Sequence, residues 1–404
     1  MRRRLAASLA LLVLAAPVST AAAPTPRTAL KTRLARALRV PHVSPARSAG
    51  VAIDLATGAT VYSQNATRSL EPASNEKLPV TYAALSLLGP AYRFETDVLG
   101  EGSLEGTVWH GALVLKGSGD PTLSTAGLRS LAAQLRVGGV RRVDGGIVAD
   151  ESWFDTRRTV AGWKPSFYLD ESPPLSALVV DRDRLASGRL STNPALAAGQ
   201  EFRTALRSAG IAVTGTVRMG LADDFSNVMA SVFSPTLASI VRFMDRESDN
   251  FTAEMLLKQL GATQSEHGTS AAGAAVVTQA LAAAGVPLAG VRIVDGSGLS
   301  LLDRLTAAAL TTLLRVSWQD PTVRPTLLAA LPVAGVNGTL DDRMRTGPAH
   351  GTVLAKTGTT SEASALSGYV RSRYVFAILQ NGHPLAYWWA RVAQDRFAQV
   401  LAAE

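Results

Sequence analysis

Apolar and polar positions repeat along this chain with either a helical or an alternating, strand-like period. The points where the period changes divide the chain into predicted helices and strands. Apolar residues recur at helical spacing over residues 28–38, and two short alternating runs predict a β-hairpin over residues 49–63. A second helix is predicted to begin near Ser74. It should end at Gly89-Pro90, because a glycine followed by a proline is typical of a helix end.

Residues 97–193 differ in texture from the sequence on either side. Short β-like runs are separated there by turns rich in glycine and proline, and one amphipathic helix is predicted near residues 128–135. This change predicts a small β-rich domain that is inserted into a larger one. The larger domain would combine residues 24–96 with residues 194–404.

Helical periodicity dominates after residue 193, and strands return near the end of the chain. Three strands are predicted between residues 353 and 379, followed by a closing helix over residues 387–402. Strands near both ends with helices between them predict an α+β fold in which the first and last strands share a sheet.

The first 23 residues have the pattern of a secretory signal peptide. A basic start, Arg2 to Arg4, precedes an apolar run over residues 5–16 and a small-residue stretch, Ala21 to Ala23. A membrane anchor is the alternative, but a spanning helix needs roughly 20 apolar residues. We therefore expect an exported protein of the cell envelope, periplasmic or extracellular, without a permanent membrane anchor.

Composition excludes several kinds of chemistry. The chain has 404 residues and no cysteine, which rules out disulfides, thiolate catalysis, cysteine-bound zinc and iron–sulfur clusters. Lysine and arginine exceed aspartate and glutamate by 40 to 32, but they form no basic runs, so a nucleic-acid partner is not expected. The five histidines show no metal-ligand spacing. Neither a metal nor a cofactor is predicted.

Ser74 and Lys77 form a candidate nucleophile and base. Their spacing of three places the hydroxyl and the amine on one face of the predicted helix. A neutral amine can take the proton of the hydroxyl as attack begins, and a helix N-terminus favours the developing negative charge. The alternative is structural: Ser74 as a helix cap and Lys77 as a solvated side chain.

The segment Lys356-Thr357-Gly358-Thr359 is the second candidate motif. On an edge strand beside Ser74, its lysine and hydroxyls could bind a substrate carboxylate, and Gly358 would let the substrate approach the backbone. The backbone N–H groups of Ser74 and Thr359 could form an oxyanion hole. A simple turn after a strand is the structural alternative.

Ser248-Asp249-Asn250 lies in the predicted break between two amphipathic helices and is the third candidate. Ser248 could relay protons toward Lys77 or Lys356, and the amide of Asn250 could contact the substrate backbone. A helix cap would explain the same residues. The three motifs together are the set of the penicillin-recognising serine enzymes.

With these motifs the chain resembles the class C low-molecular-weight penicillin-binding proteins, the D-alanyl-D-alanine carboxypeptidases/endopeptidases of peptidase family S13. The likeness covers nearly all of the chain after the signal segment. Further short elements carry it in order, namely Glu71-Pro72-Ala73-Ser74, Gly119-Asp120-Pro121-Thr122-Leu123, Val180-Asp181-Arg182, Ser234-Pro235-Thr236-Leu237, Asp295-Gly296-Ser297-Gly298-Leu299-Ser300, Gly335-Val336-Asn337-Gly338-Thr339-Leu340 and Leu366-Ser367-Gly368-Tyr369-Val370.

The resemblance implies a transpeptidase domain of the penicillin-binding-protein/β-lactamase type, with an antiparallel sheet, flanking helices and a helical lobe. It also implies that Ser74 attacks peptidoglycan stem peptides at D-Ala-D-Ala with Lys77 as base. The remaining motif residues would support proton transfer or hold the substrate, and β-lactams would acylate the same serine. By similarity, Trp153, Asp155 and Arg343 could form a pocket for a zwitterionic diaminopimelate side chain, with surface packing and ordinary ion pairs as the alternative.

Three other functions are alternatives for this sequence. A class A β-lactamase needs a second base after the Ser-x-Asn motif, and no Glu-x-x-Leu-Asn segment occurs there. A Ser-His-Asp hydrolase is disfavoured because no Gly-x-Ser-x-Gly occurs. A catalytically slow penicillin-binding module, acting in wall binding or sensing, would keep every motif and stays open.

Overall fold

A computed structural model describes residues 26–184 and 189–404 of the chain. The predicted signal segment, residues 1–23, lies outside the described residues. The helices are α1 Pro26–Ala37, α2 Lys77–Leu87, α3 Thr125–Val137, α4 Phe167–Asp170, α5 Pro194–Ser208, α6 Leu237–Glu247, α7 Asn250–Ala262, α8 Ser270–Ala283, α9 Ala307–Gln319, α10 Arg324–Ala330 and α11 Tyr387–Ala402.

The strands fall into two sheets. They are β1 Ser48–Asp54, β2 Thr60–Gln64, β3 Glu95–Glu105, β4 Val108–Gly117, β5 Arg142–Val143, β6 Ile147–Asp150, β7 Ala212–Val213, β8 Val217–Met219, β9 Asn227–Phe233, β10 Val353–Thr359, β11 Ala363–Val370 and β12 Tyr374–Asn381.

The first sheet is antiparallel and joins the two ends of the chain. Its strand order is β10-β11-β12-β1-β2, and Val51 of β1 lies opposite Ala377 of β12. The predicted pairing of the first and last strands is therefore present. Because β10 is an edge strand, its outer side pairs only through a bridge between Leu354 and Val333 among the described residues, and the later part of the strand is left for other contacts.

Both faces of this sheet are covered. Side chains of β1, β11 and β12 on one face pack with α2 and with helices α6 to α10, and those on the other face pack with α1 and α11. Successive strand residues point to opposite faces, so the strands in the middle of the sheet are buried throughout, as in β11. The α+β prediction is confirmed.

The second sheet has its own core and extends beyond the predicted end of the inserted domain. Strand β9 pairs with β3, and α5 packs on α3, although both β9 and α5 lie after residue 193. The predicted boundary between residues 193 and 194 therefore cuts through this unit, whose sheet runs from Glu95 to Phe233. The amphipathic pattern of α5 shows that one face is buried but does not show which sheet covers it.

Among the helices of the described ranges, none combines the length and the apolar character that crossing a membrane requires.

Candidate active site

Ser74 lies in a tight turn that leads directly into α2. Residues Ala73–Glu76 form a 3₁₀ turn, and α2 begins at Lys77. The α-helix thus begins three residues later than predicted, but the tighter turn still places Ser74 and Lys77 on one side. Ser74 is half-buried at the N-terminal end of α2, where the helix dipole favours negative charge.

The amine of Lys77 is fully buried and makes three hydrogen bonds. Its Nζ donates to Ser74 Oγ at 3.1 Å, to Asn250 Oδ1 at 2.8 Å and to the backbone oxygen of Ser297 at 2.8 Å. An ammonium uses all three of its protons in this way. A neutral amine keeps two donors for Asn250 and Ser297, and its lone pair then faces the hydroxyl of Ser74.

Burial also favours the neutral form of the Lys77 amine near physiological pH. It lowers the pKa of Lys77 from its ordinary value, against the opposing charges of Asp295 and Asp249. The amine therefore has both the position and the shifted pKa that a general base requires.

Lys356 occupies the adjoining position on the edge strand β10. Its Nζ donates to Ser248 Oγ at 2.8 Å and to the backbone oxygen of Thr357 at 3.0 Å. Burial lowers the pKa of Lys356, as does the nearby charge of Lys77. The backbone oxygen of Lys356 accepts a bond of 3.1 Å from Asn75 Nδ2, so the turn of Ser74 is tied to the strand.

Gly358 lets β10 lie against the turn that carries the serine. A Cβ atom at this position would lie 2.9 Å from both the Pro72 backbone oxygen and the Ser74 nitrogen. One residue earlier, Thr357 Oγ1 donates to Thr339 Oγ1 at 2.6 Å. The exposed Thr359 ends the strand. The Lys-Thr-Gly-Thr segment and Ser74 therefore lie side by side.

The Ser-Asp-Asn segment forms the junction of α6 and α7. Ser248 has a left-handed backbone with φ of 60°, and Asp249 caps α7 through a bond of 2.8 Å from Thr252 N. Asn250 begins α7 and reaches Lys77, as described above. The helix-cap alternative therefore holds for Asp249, while the two flanking side chains contact the lysines.

Sequence reasoning missed the contacts made by the segment from Asp295 to Ser300. Its Ser297 supplies the third acceptor of Lys77, and Asp295 accepts hydrogen bonds from the backbone N–H groups of Gly298 and Ser300. Gly298, with φ of +82°, is so close to the turn of Ser74 that a Cβ would lie 1.9 Å from Ala73 O. In the sequence this element was recognised only as one of the short motifs of the resemblance, without a location in the fold.

Part of the inserted region supports the same segment. Trp163 Nε1 donates to Asp295 Oδ2 at 2.8 Å, and Asn250 Nδ2 donates to the backbone oxygen of Glu171 at 3.1 Å. Residues before α5 thus contact two elements that hold Lys77.

The three residues predicted to form a zwitterion pocket have other partners. Asp155 pairs with Lys258 of α7, and Trp153 Nε1 donates to Gln259 at 2.8 Å. The buried Arg343 pairs with Asp395 of α11 at 2.5 Å, on the face of the sheet opposite α7. The structure therefore separates Arg343 from the other two and neutralises its charge. The structural alternative accounts for all three residues.

A half-buried serine, two buried lysines and an edge strand, placed between an antiparallel sheet and a helical lobe, define a serine enzyme of the penicillin-binding-protein/β-lactamase-like fold. The family model described as the D-Ala-D-Ala carboxypeptidase 3 (S13) family matches residues 30–188 and 177–403. The chain belongs to this family and is a serine-type D-Ala-D-Ala carboxypeptidase, as the resemblance predicted.

Individual relatives agree with this assignment. The D-alanyl-D-alanine carboxypeptidase of Actinomadura sp. is 34% identical, with 90% of this chain and 83% of that relative covered. Carboxypeptidase DacB of Mycolicibacterium smegmatis is 33% identical, with 94% and 85% covered. The crystal structure of penicillin binding protein 4 from Haemophilus influenzae has a TM-score of 0.80 at 21% identity, covering 92% of this chain and 98% of that chain, which shows a shared fold.

Proposed function

We propose that the chain is an exported carboxypeptidase that cleaves D-Ala-D-Ala in peptidoglycan stem peptides through an acyl-enzyme on Ser74. The observation that carries this proposal is the set of three bonds at Lys77 Nζ, which leaves a neutral amine with its lone pair directed at the serine. The same acyl transfer applied to a crosslink would be endopeptidase activity.

In the first step Lys77 takes the proton of Ser74 Oγ while that oxygen bonds to the carbonyl carbon of the penultimate D-alanine. The C–N bond then breaks, and the proton held by Lys77 passes through Ser248 to the leaving amine, so Lys77 is neutral again. Lys356 donates to Ser248 Oγ and stays an ammonium. Water hydrolyses the resulting ester with Lys77 again as base and restores the serine. Atoms and charges balance without any cofactor.

Substrate binding would use the edge strand. Lys356, Thr357 and Thr359 would hold the terminal carboxylate, and Gly358 permits the close approach of β10. The N–H groups of Ser74 and Thr359 would stabilise the oxyanion. One N–H of the Asn250 amide already bonds to Glu171, and the other would bond to a substrate carbonyl.

β-Lactams should acylate the same serine, because their strained amide resembles the terminal dipeptide. The penicillin binding protein 4 of Haemophilus influenzae, which shares the fold with a TM-score of 0.77 in that form, is described in complex with a novel β-lactam. Export to the cell envelope is proposed from the basic, apolar and small-residue pattern of residues 1–23.

Two assays test the proposal. Fluorescent penicillin should label the wild type covalently, and Ser74→Ala should show no label while keeping its thermal unfolding midpoint. Labelling that survives the substitution would exclude Ser74 as the nucleophile. A peptide ending in D-Ala-D-Ala should release D-alanine, and labelling without release would favour the slow penicillin-binding module instead.

A further inference from the structure

Asp245 is a buried acid beside the two lysines that the mechanism above does not use. It lies on α6 and is fully buried. Thr81 Oγ1 donates to its Oδ2 at 2.8 Å, while its Oδ1 has no hydrogen-bond partner within the described residues. An ionised carboxylate in this position needs a counter-charge, because burial of an unpaired charge is strongly unfavourable.

The two helices that hold Asp245 also direct it toward the lysines. Thr81 lies one turn beyond Lys77 on α2, and Ser248, which accepts a bond from Lys356, lies three residues beyond Asp245. All three charged side chains have a relative exposure of 0%. Burial raises the pKa of Asp245, the charges of Lys356 and Lys77 lower it in part, and the result is a pKa of about 6.

We propose that Asp245 is a positioning residue that supplies the shared counter-charge of the Lys77–Lys356 pair. With the carboxylate ionised, the cluster is neutral when the two lysines share one extra proton. That is the protonation state that the proposed function requires, since one amine acts as base while one ammonium binds the carboxylate. The inference rests on the proposed function and adds an account of what sets the pH range over which the enzyme is active.

The sign of the effect follows from electrostatics. A nearby negative charge favours the charged form of an amine, so Asp245 raises both apparent pKa values of the lysine pair. Activity should rise with pH as the pair loses its first proton and fall as it loses its second. Without the carboxylate, the neutral cluster would be the one in which both amines are uncharged.

Other charged groups on the helices that pack against α6 have contacts of their own. Among the described residues, α7 and its cap bring Asp249, which pairs with Arg182, Glu254, which accepts from two backbone N–H groups, and Lys258, which pairs with Asp155. The Arg324 of α10 lies over the ring of Trp318. Asp245 itself is flanked in sequence by Arg242, Arg246 and Glu247 on α6.

The test is the pH profile of acylation by fluorescent penicillin between pH 5 and pH 10, an interval chosen to include both limbs. Asp245→Asn should move both limbs to lower pH by about one unit. Thr81→Val should move only the acid limb, in the same direction and by less, because it weakens ionisation of Asp245 without removing the carboxyl. Asp245→Glu keeps the charge and should restore both limbs.

Asp183→Asn is a matched control. Within the described residues, Asp183 is also buried, accepts a hydrogen bond from Ser191 N at 2.7 Å and has one oxygen without a partner. Burial raises its pKa to about 6 as well, but no lysine is among the charges that act on it. Its profile should match the wild type.

Unshifted limbs in a folded Asp245→Asn variant would overturn the inference while leaving the proposed function intact. If that variant shows no thermal transition, the pH profiles of Thr81→Val and Asp245→Glu test the inference instead. An unmoved acid limb in Thr81→Val, or a displaced profile in Asp245→Glu, would overturn it. Absence of labelling in the wild type at every pH would reject the proposed function and, with it, this extension.

Discussion

Buried charged side chains have different surroundings near the two sheets of this protein. Around the first sheet, Lys77, Lys356 and Asp245 lie inside the molecule with shifted pKa values and incomplete pairing. Around the second sheet, the buried Glu151 is matched by Arg158 at 2.6 Å, and Asp150 accepts from two backbone N–H groups. The rest of this core is mostly apolar, with Asp183 as a buried acid whose pKa burial raises to about 6.

This difference separates a supporting unit from a reactive one. Buried ionisable groups lower stability unless they are paired, so a protein keeps them unpaired where their chemistry is needed. The second sheet can follow ordinary packing rules because it carries none of the three motifs. A change near the first sheet should therefore alter acylation, whereas a matched change near the second should not.

The largest effect is expected from Lys77→Met. This substitution keeps an unbranched side chain in the buried site but removes the proposed base, so acylation by fluorescent penicillin should fall about 1,000-fold. Lys116→Met, on β4 of the second sheet, should leave the rate unchanged. Equal losses of acylation rate in the two variants would contradict the proposed difference between the two sheets.

Gly358→Ala should have the next largest effect. The added Cβ would lie 2.9 Å from the Ser74 nitrogen and would push β10 away from the turn, so we expect a loss of about 100-fold in acylation rate. Gly127→Ala in α3 is the control, since its Cβ meets the ends of two flexible side chains, Leu123 at 3.2 Å and Val232 at 3.9 Å. A normal rate for Gly358→Ala would show that this close approach is dispensable.

Asn250→Ala should reduce the acylation rate about tenfold, because Lys77 loses one of its three partners but keeps the other two. The matched change is Asn193→Ala, which removes the cap of α5 in the second unit. That control should lower the free energy of unfolding by about 1 kcal/mol and spare the rate. The contrast fails if the rate of Asn193→Ala falls as well.

The smallest effect is expected in the pH dependence of stability of Glu254→Gln. Burial, with the charge of Asp295, raises the pKa of Glu254 to about 8 from the ordinary 4.5. The folded state therefore holds a proton that the unfolded chain has released, and wild-type stability should fall as pH rises between these values. Glu254→Gln should flatten this part of a plot of unfolding temperature against pH.

Glu105→Gln, at a side chain 75% exposed on β3, should follow the wild-type curve. Parallel curves for wild type and Glu254→Gln would mean that Glu254 does not carry this proton.

Local elements were predictable where the information lies in neighbouring residues. The hairpin of β1 and β2, the end of α2 two residues before Gly89 and the three closing strands all follow from short-range periodicity and turn residues. The boundary after residue 193 was not predictable in this way. The amphipathic pattern of a helix such as α5 shows that one face is buried, but it does not show which sheet or helix covers that face.

The same limit applied to individual charges. Arg343 could be recognised in the sequence as a cation. Its partner Asp395 could not be predicted, because it lies 52 residues away in the chain. Asp245 gave no signal because aspartate within an amphipathic helix usually faces solvent.

The sequence by itself determined the α+β class, the strand and helix periods, the family and the three motifs, since each depends on residues close together in the chain. Only the tertiary structure decided that Asn250 meets Lys77 across 173 residues and that Ser248 meets Lys356 across 108. It also decided which charges lie unpaired in the interior. These contacts depend on how helices and sheets pack, and packing is fixed by the sum of many weak interactions over the whole core.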